Sequence, residues 1–177
     1  MMHNNLEILH VPTTDIVIGI LPIVGKGREA ESFAVKSLLR KLLQADVEIA
    51  HNEDGKPLVE GYNISISHTQ GWAAVILSKT YKVGIDIEYQ SERIQKIAKR
   101  FLRADEPFTQ TSDILYAWCA KESLYKLRSV LHLGYQEMKV DPQAATIYDL
   151  RSNNSLSVSL RSVEEYLLTY VDRKSVV

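Results

Sequence analysis

A chain of 177 residues, 45% hydrophobic and 24% charged, has the composition of a globular protein and enough length for one domain or two small, intimate lobes. Its formal net charge of −1 gives no global field to recruit nucleic acid, so any basic contact must be local. The single cysteine, Cys119, excludes an internal disulfide and a cysteine-based zinc cluster, and fits a reducing compartment.

The first residues, MMHNNLEILHVPTTDIVIGILP, lack a basic leader, and Pro12 and Asp15 interrupt their short apolar runs. Neither a signal peptide nor a membrane anchor is expected, and the reading is a soluble cytoplasmic protein with no membrane partner. Two runs, LEILHV and DIVIGILP, read as strands. From 28 to 43 the period turns helical, with Phe33, Val35, Leu38, Leu39, Leu42 and Leu43 as the core-facing stripe. NEDGKP (52–57) is turn chemistry, and YNISISHTQGWAAVILSKT reads as two strands joined at TQGW. A strand at 83–88 follows.

Residues 91–102 predict an amphipathic helix, with Ile94, Ile97 and Phe101 on one side and Arg93, Lys96 and Arg100 on the other. The longest helix is expected at 112–131, its stripe formed by Ala117, Ala120, Leu124, Leu127 and Leu131. SLSVSLRSVEEYLLTYVD then predicts another alternating strand pair. It echoes the middle of the chain: ISISHTQGWAAVILS from Ile64 lies over LSVSLRSVEEYLLTYV from Leu156, at about half the chain length. With no linker between them, two similarly built and tightly packed lobes are expected.

In VGIDIE, Asp86 and Glu88 stand two apart on an apolar strand and so point to one face, about 7 Å apart along the chain. Such a pair is either a solvated strand end or half of a divalent-cation site, since Mg²⁺ prefers carboxylate oxygens. A third acid close in space decides between them. Trp118, Glu122 and Lys126 recur at i, i+4 and i+8, on one helical face. Alone they are an ordinary surface pair; beside a diacid strand, Glu122 can complete a three-carboxylate site with Lys126 one turn away for a phosphate.

Ser65, Ser67, His68 and Thr69 at a strand end could cradle phosphate, although such a histidine is more often a hydrogen-bonded surface group. Pro57 biases Lys56 to extended backbone, which could aim it at a ligand. Lys26, Arg28 and Lys36 surround a helix start, either as a solvated face or as an anion site. The spacing is not that of a P-loop.

Taken in order, DGKP, ISISHT, VGIDIE, KRF and WCAKESLYK resemble the 4′-phosphopantetheinyl transferase superfamily over about residues 25 to 131. The likeness is to its two-lobed type, in which one chain mimics a dimer of the shorter holo-acyl-carrier-protein synthase type. The resemblance implies an α+β fold of two lobes related by a pseudo-two-fold axis, each a small antiparallel sheet packed with a long helix. The N-terminal lobe is expected at 1–80, with the coenzyme A nucleotide and 3′-phosphate contacts. The C-terminal lobe, 81–177, is expected to hold the metal carboxylates and the catalytic helix.

The implied activity is transfer of the phosphopantetheine arm of coenzyme A to a carrier-protein serine, releasing adenosine 3′,5′-bisphosphate. In the matching positions Asp86, Glu88 and Glu122 surround Mg²⁺, or Mn²⁺. Glu122 is also the general base and Lys126 holds the pyrophosphate. Ser67 and His68 lie near the 3′-phosphate, and Gly55 and Lys56 on the nucleotide side. Lys36 departs from the arginine many relatives carry, and lysine cannot reproduce a bidentate phosphate contact. Lys26 and Arg28 match more loosely. Arg93, Lys96, Arg100 and Arg103 form a basic ridge for an acidic apo carrier protein, with a solvated helix face as the alternative. A lone chain holding both lobes is expected to function as a monomer. A non-catalytic coenzyme A-binding relative and another Mg²⁺-dependent phosphoryl transferase are the competing readings.

Overall fold

The computed structural model describes residues 5–175. β1 (Glu7–His10) and β2 (Val17–Pro22) form a hairpin, and α1 (Arg28–Leu43) follows. Two short strands, β3 (Ala50–His51) and β4 (Pro57–Leu58), flank the DGKP turn, and β5 (Asn63–Thr69) and β6 (Trp72–Ser78) make a second hairpin. Then come β7 (Tyr81–Tyr89), α2 (Ile94–Phe101) and α3 (Thr111–Leu127). A meander of β8 (Met138–Asp141), β9 (Thr146–Asp149) and β10 (Asn154–Ser157) leads to β11 (Ser159–Ser162) and β12 (Tyr166–Lys174).

One sheet has the order β1-β2-β6-β5 and another β11-β12-β7, both antiparallel. The orders β2-β6-β5 and β7-β12-β11 correspond, with α1 following β2, and α2 then α3 following β7. This is the expected α+β pair of similar lobes. The echo holds for the hairpins β5–β6 and β11–β12, while Leu156 and Ser157 belong to β10. The β8–β9–β10 meander is an addition of the second lobe.

Alternation on the strands divides the apolar residues between two kinds of layer. Ile16, Ile18, Ile20 and Ile76 meet Ile85, Ile87 and Leu168 between the sheets. On the outer faces, α1 covers Ala73, Val75 and Leu77 with Val35, Leu38 and Leu39. On the other side, Leu124 and Leu127 of α3 join a cluster with Leu167 and Val171. Each fully buried valine, leucine or isoleucine among them contributes about 1.5–3 kcal/mol.

The lobes are also joined edge to edge. The amides of Ile85, Ile87 and Tyr89 donate to the hydroxyls of Ser65 (3.1 Å), Ser67 (3.1 Å) and Thr69 (3.2 Å). The constant offset means that β5 and β7 run parallel, with side-chain hydroxyls standing in for ladder carbonyls. The alternating hydroxyls of ISISHT, expected as a phosphate cradle, are thus a seam that pairs two sheet edges.

Three local expectations change. Phe33 is 74% exposed, because Ala34, Val35, Leu38 and Leu39 set the buried stripe and Phe33 falls outside it. The long helix stops at Leu127, where Arg128 leaves helical dihedrals, and Ser129–Leu131 form a single 3₁₀ turn. The amphipathic helix is shorter than 91–102, spanning Ile94–Phe101. Among the described residues no helix is long and apolar enough to cross a membrane.

Candidate active site

The site is built where α3 crosses β7. Alternation sends Ile85 and Ile87 into the layer between the sheets, so Gly84, Asp86 and Glu88 face α3. The helix backbone lies directly on Gly84: a β-carbon there would overlap the Ser123 carbonyl and stand 2.9 Å from the Leu127 nitrogen. Ser123 holds the crossing further, its hydroxyl 3.1 Å from the Thr169 carbonyl on β12. This approach brings the Trp118–Glu122–Lys126 face over the two acids.

Asp86 is 4% exposed. Its Oδ1 accepts from Lys126 Nζ at 2.9 Å and from Ser67 Oγ at 3.0 Å, while Oδ2 is buried with no hydrogen-bond partner among the described residues. Lys126 also donates to the Ile85 carbonyl, at 3.0 Å. Glu88 Oε1 accepts from Trp118 Nε1 at 2.9 Å, and Glu122 Oε1 from the Tyr135 hydroxyl at 2.9 Å. Burial first, and then the charge of Asp86, pushes Glu88 up to about 7. The same two causes raise Glu122. Burial and Glu122 push the Tyr135 phenol up as well, so it stays protonated and donates. Burial also raises the Cys119 thiol, whose Sγ lies 3.3 Å from the Asp86 carbonyl oxygen; this cysteine is a buried neutral donor.

Three carboxylates thus share one region with one ammonium. Among the described residues no three acidic, histidine or cysteine groups already stand together at ligand distances. The donor set nonetheless fits a divalent cation. It has three oxygen donors, an excess of negative charge, two acids raised by burial and then by that charge, and an orphaned buried Asp86 oxygen.

Beside Lys126 opens a cavity of about 210 Å³ between the lobes, lined by Gly55, Lys56, Ser65, Tyr125 and Ser129 among others. It sets Lys56 and Lys126 around one space. Burial, then the charge of Lys82, lowers Lys56. Asn52 shapes the turn that carries Lys56, its Oδ1 accepting from the amides of Asp54 (3.0 Å) and Lys56 (2.9 Å) around Gly55 at φ 75°. His132 Nε2 lies 3.0 Å from Asp54 Oδ1, tying this turn to the segment after α3.

The remaining expected residues divide. His68 points away from Ser67, half exposed, with Nδ1 3.7 Å from Glu31 Oε2 on α1. Lys26 and Arg28 are exposed at the start of α1 and Lys36 midway along it, and none lines the cavity. Arg93 and Lys96 rim a groove of about 310 Å³, with Ile94, Ile97, Leu115 and Trp118 in its wall, that reaches Glu88. Arg100 is exposed on α2. Arg103 lies beyond the helix, bound to Asp105 (2.8 Å) and the Gln136 carbonyl, which takes it off the ridge.

Sequence reasoning missed Tyr135, Gly84 and a buried ion pair. Lys121 and Glu106 are 0% and 2% exposed and 2.6 Å apart. Lys121 also donates to the carbonyls of Phe101 (2.8 Å) and Tyr135 (3.2 Å). A glycine inside an apolar strand was a readable sign of close backbone approach. Tyr135 offered none, since it lies beyond the helix and outside any periodic pattern.

The family model of the 4′-phosphopantetheinyl transferase superfamily matches residues 82–171, and the chain belongs to that superfamily. The match holds Asp86, Glu88, Glu122, Lys126 and Tyr135. Among curated relatives, the chain is similar to the 4′-phosphopantetheinyl transferase gsp of Aneurinibacillus migulanus, 37% identical over 84 residues. That alignment covers 42% of this chain and 35% of the relative, so the chain spans about a third of the length of the relative it matches.

Proposed function

We propose that the chain transfers the 4′-phosphopantetheine group of coenzyme A to a serine of an apo carrier protein, releasing adenosine 3′,5′-bisphosphate. The observation that carries this reading is the gathering of Asp86, Glu88, Glu122 and Lys126 at the β7–α3 crossing, inside the matched segment. Asp86, Glu88 and Glu122 would hold a divalent cation, Mg²⁺ or Mn²⁺, which when bound neutralises charge on the pyrophosphate oxygens.

Lys126 supplies an ammonium to the pyrophosphate, and Lys56 with Gly55 takes the nucleotide side in the shared cavity. His68, with Lys36 and the basic pair Lys26 and Arg28, is assigned to the 3′-phosphate side, while the buried Ser67 hydroxyl holds Asp86. Phosphoryl transfer needs mainly positioning and charge neutralisation, and two lysines around one cavity suit that need. Serine is a poor nucleophile at neutral pH, so Glu122 accepts its proton directly or through a water, as a carboxylate raised by burial is suited to do. The serine oxygen forms the new bond to phosphorus as the pyrophosphate bridge breaks, and the nucleotide leaves.

The acidic carrier docks on Arg93 and Lys96, whose groove leads to Glu88, and on Arg100, exposed on the same helix. Arg103 contributes through its hold on the loop after α2. The lobes divide at 80/81, and the chain works as a cytoplasmic monomer. Chromatographic detection of adenosine 3′,5′-bisphosphate tests the reading: release must require apo carrier and divalent cation together. Release without carrier, or none with any carrier, refutes it.

A further inference from the structure

We propose that Tyr135 is a positioning residue that holds Glu122 by one oxygen, and so confines it to single-oxygen ligation of a small, octahedral cation. This rests on the reading of Asp86, Glu88 and Glu122 as the metal carboxylates.

Tyr135 is fixed at three points. Its ring packs against Trp118 (5.5 Å between centroids) and Phe101 (6.4 Å). Its carbonyl accepts from Lys121, which is locked in turn by the buried Glu106. Its hydroxyl then has one bond to make, to Glu122 Oε1 at 2.9 Å. A side chain held in this way sets the rotamer of its partner rather than following it.

The device occurs twice. Trp118, which packs on Tyr135, donates to a single oxygen of Glu88 in the same manner. On Asp86, Ser67 and Lys126 both take Oδ1. Each of the three acids therefore has one oxygen engaged by the protein. Among the described residues no N–H or hydroxyl donor reaches the other. A large cation such as Ca²⁺ gains from carboxylates that offer both oxygens, whereas Mg²⁺ demands near-ideal octahedral geometry and takes one oxygen from each. Tyr135 acts on this difference by withholding Oε1.

The test is Mn²⁺ binding to the metal-free full chain, followed by the paramagnetic resonance of free Mn²⁺, with Mg²⁺ and Ca²⁺ as competitors. Tyr135→Phe keeps the ring and removes only the donor. It is expected to weaken Mn²⁺ binding about tenfold and to raise the competitive strength of Ca²⁺ relative to Mg²⁺, with the melting temperature little changed. Unchanged Mn²⁺ affinity and an unchanged Ca²⁺/Mg²⁺ ratio would overturn the proposal, as would a wild-type chain that binds no Mn²⁺.

If Tyr135→Phe melts early, Tyr135→Phe on a Glu122→Ala background, which removes the acceptor, decides. Loss of metal binding beyond that of Glu122→Ala alone shows that Tyr135 acts on the fold and not through Glu122, and the proposal fails. No further loss supports it. The two readings fail separately: transfer to a carrier with Mn²⁺ binding insensitive to Tyr135 sinks this inference alone. The expected metal shifts without transfer sink the proposed reaction alone.

Discussion

Gly84 and Ser123 share a space that admits no side chain: the Ser123 carbonyl lies where a β-carbon of residue 84 would stand. The first lobe repeats the arrangement more loosely, with Gly19 of β2 under Leu38 and Leu42 of α1. The obstacle at Gly84 is backbone, which cannot turn aside, whereas at Gly19 it is the ends of leucine side chains. Gly84→Ala is therefore expected to lift α3 and cost at least about 3 kcal/mol. Gly19→Ala should cost about 1–2 kcal/mol. Denaturant titration of the two variants checks the order, and equal losses would contradict it.

The hydroxyl seam makes a second prediction. Ser67→Ala removes the acceptor for the Ile87 amide and one donor to Asp86. It should cost about 1–3 kcal/mol, the range for a buried polar group left unpaired. Hydrogen exchange should rise at Ile87 in this variant and at Ile85 in Ser65→Ala. Protection unchanged at both amides would remove the seam from the account.

Between about pH 4.5 and 7, the raised acids of the site should make the cation-free protein less stable as pH rises. Glu88 is held at about 7 against an ordinary 4.5, and Glu122 is raised in the same direction. An acid whose pKa is higher folded than unfolded keeps its proton where the unfolded chain has lost it. Its folded state is therefore favoured most below about 4.5 and loses stability as pH rises to about 7. Mg²⁺ binds the ionised acids, so its stabilisation should be larger at pH 8 than at pH 5. Melting with and without Mg²⁺ at the two pH values tests this, and a larger shift at pH 5 would refute it.

The Lys121–Glu106 pair should be costly to break on one side. Lys121→Met leaves a buried carboxylate and should lose about 3–5 kcal/mol. Adding Glu106→Leu should recover only part, because Glu106 also accepts from the amides of Arg103 (3.1 Å) and Val140 (3.3 Å). Equilibrium unfolding of the single and double variants measures the difference.

At the groove beside Glu88, Lys96→Glu with Arg100→Glu should raise KM for carrier protein while leaving KM for coenzyme A near its original value. Arg103 is a poorer probe, since its charge already serves Asp105 and Gln136. Equal effects on both substrates would remove the docking proposal.

Much of the site was legible because it rests on short periods. The spacing of Asp86 and Glu88, and of Glu122 and Lys126, fixes which face each presents, and both pairs arrive where that spacing puts them. What brings the two faces together is Gly84, whose meaning depends on a helix about forty residues later. Ser65, Ser67 and Thr69 showed the same limit: alternation gave their common face, but whether it met a ligand or another strand was decided by the packing of the lobes. Tyr135 joins Glu122 through a turn with no repeat to read. Phe33 looked like core because it is apolar and near the stripe, yet one position on a helix is enough to turn it to solvent.

The central claim is the transfer itself. The most direct test is intact mass of apo fatty-acid, polyketide and peptide-synthetase carriers after incubation with the chain, coenzyme A and Mg²⁺. The expected result is a phosphopantetheine adduct on at least one carrier, abolished by mutating its serine and lost with Glu122→Ala. No adduct on any carrier, with wild type and Glu122→Ala indistinguishable, would contradict it.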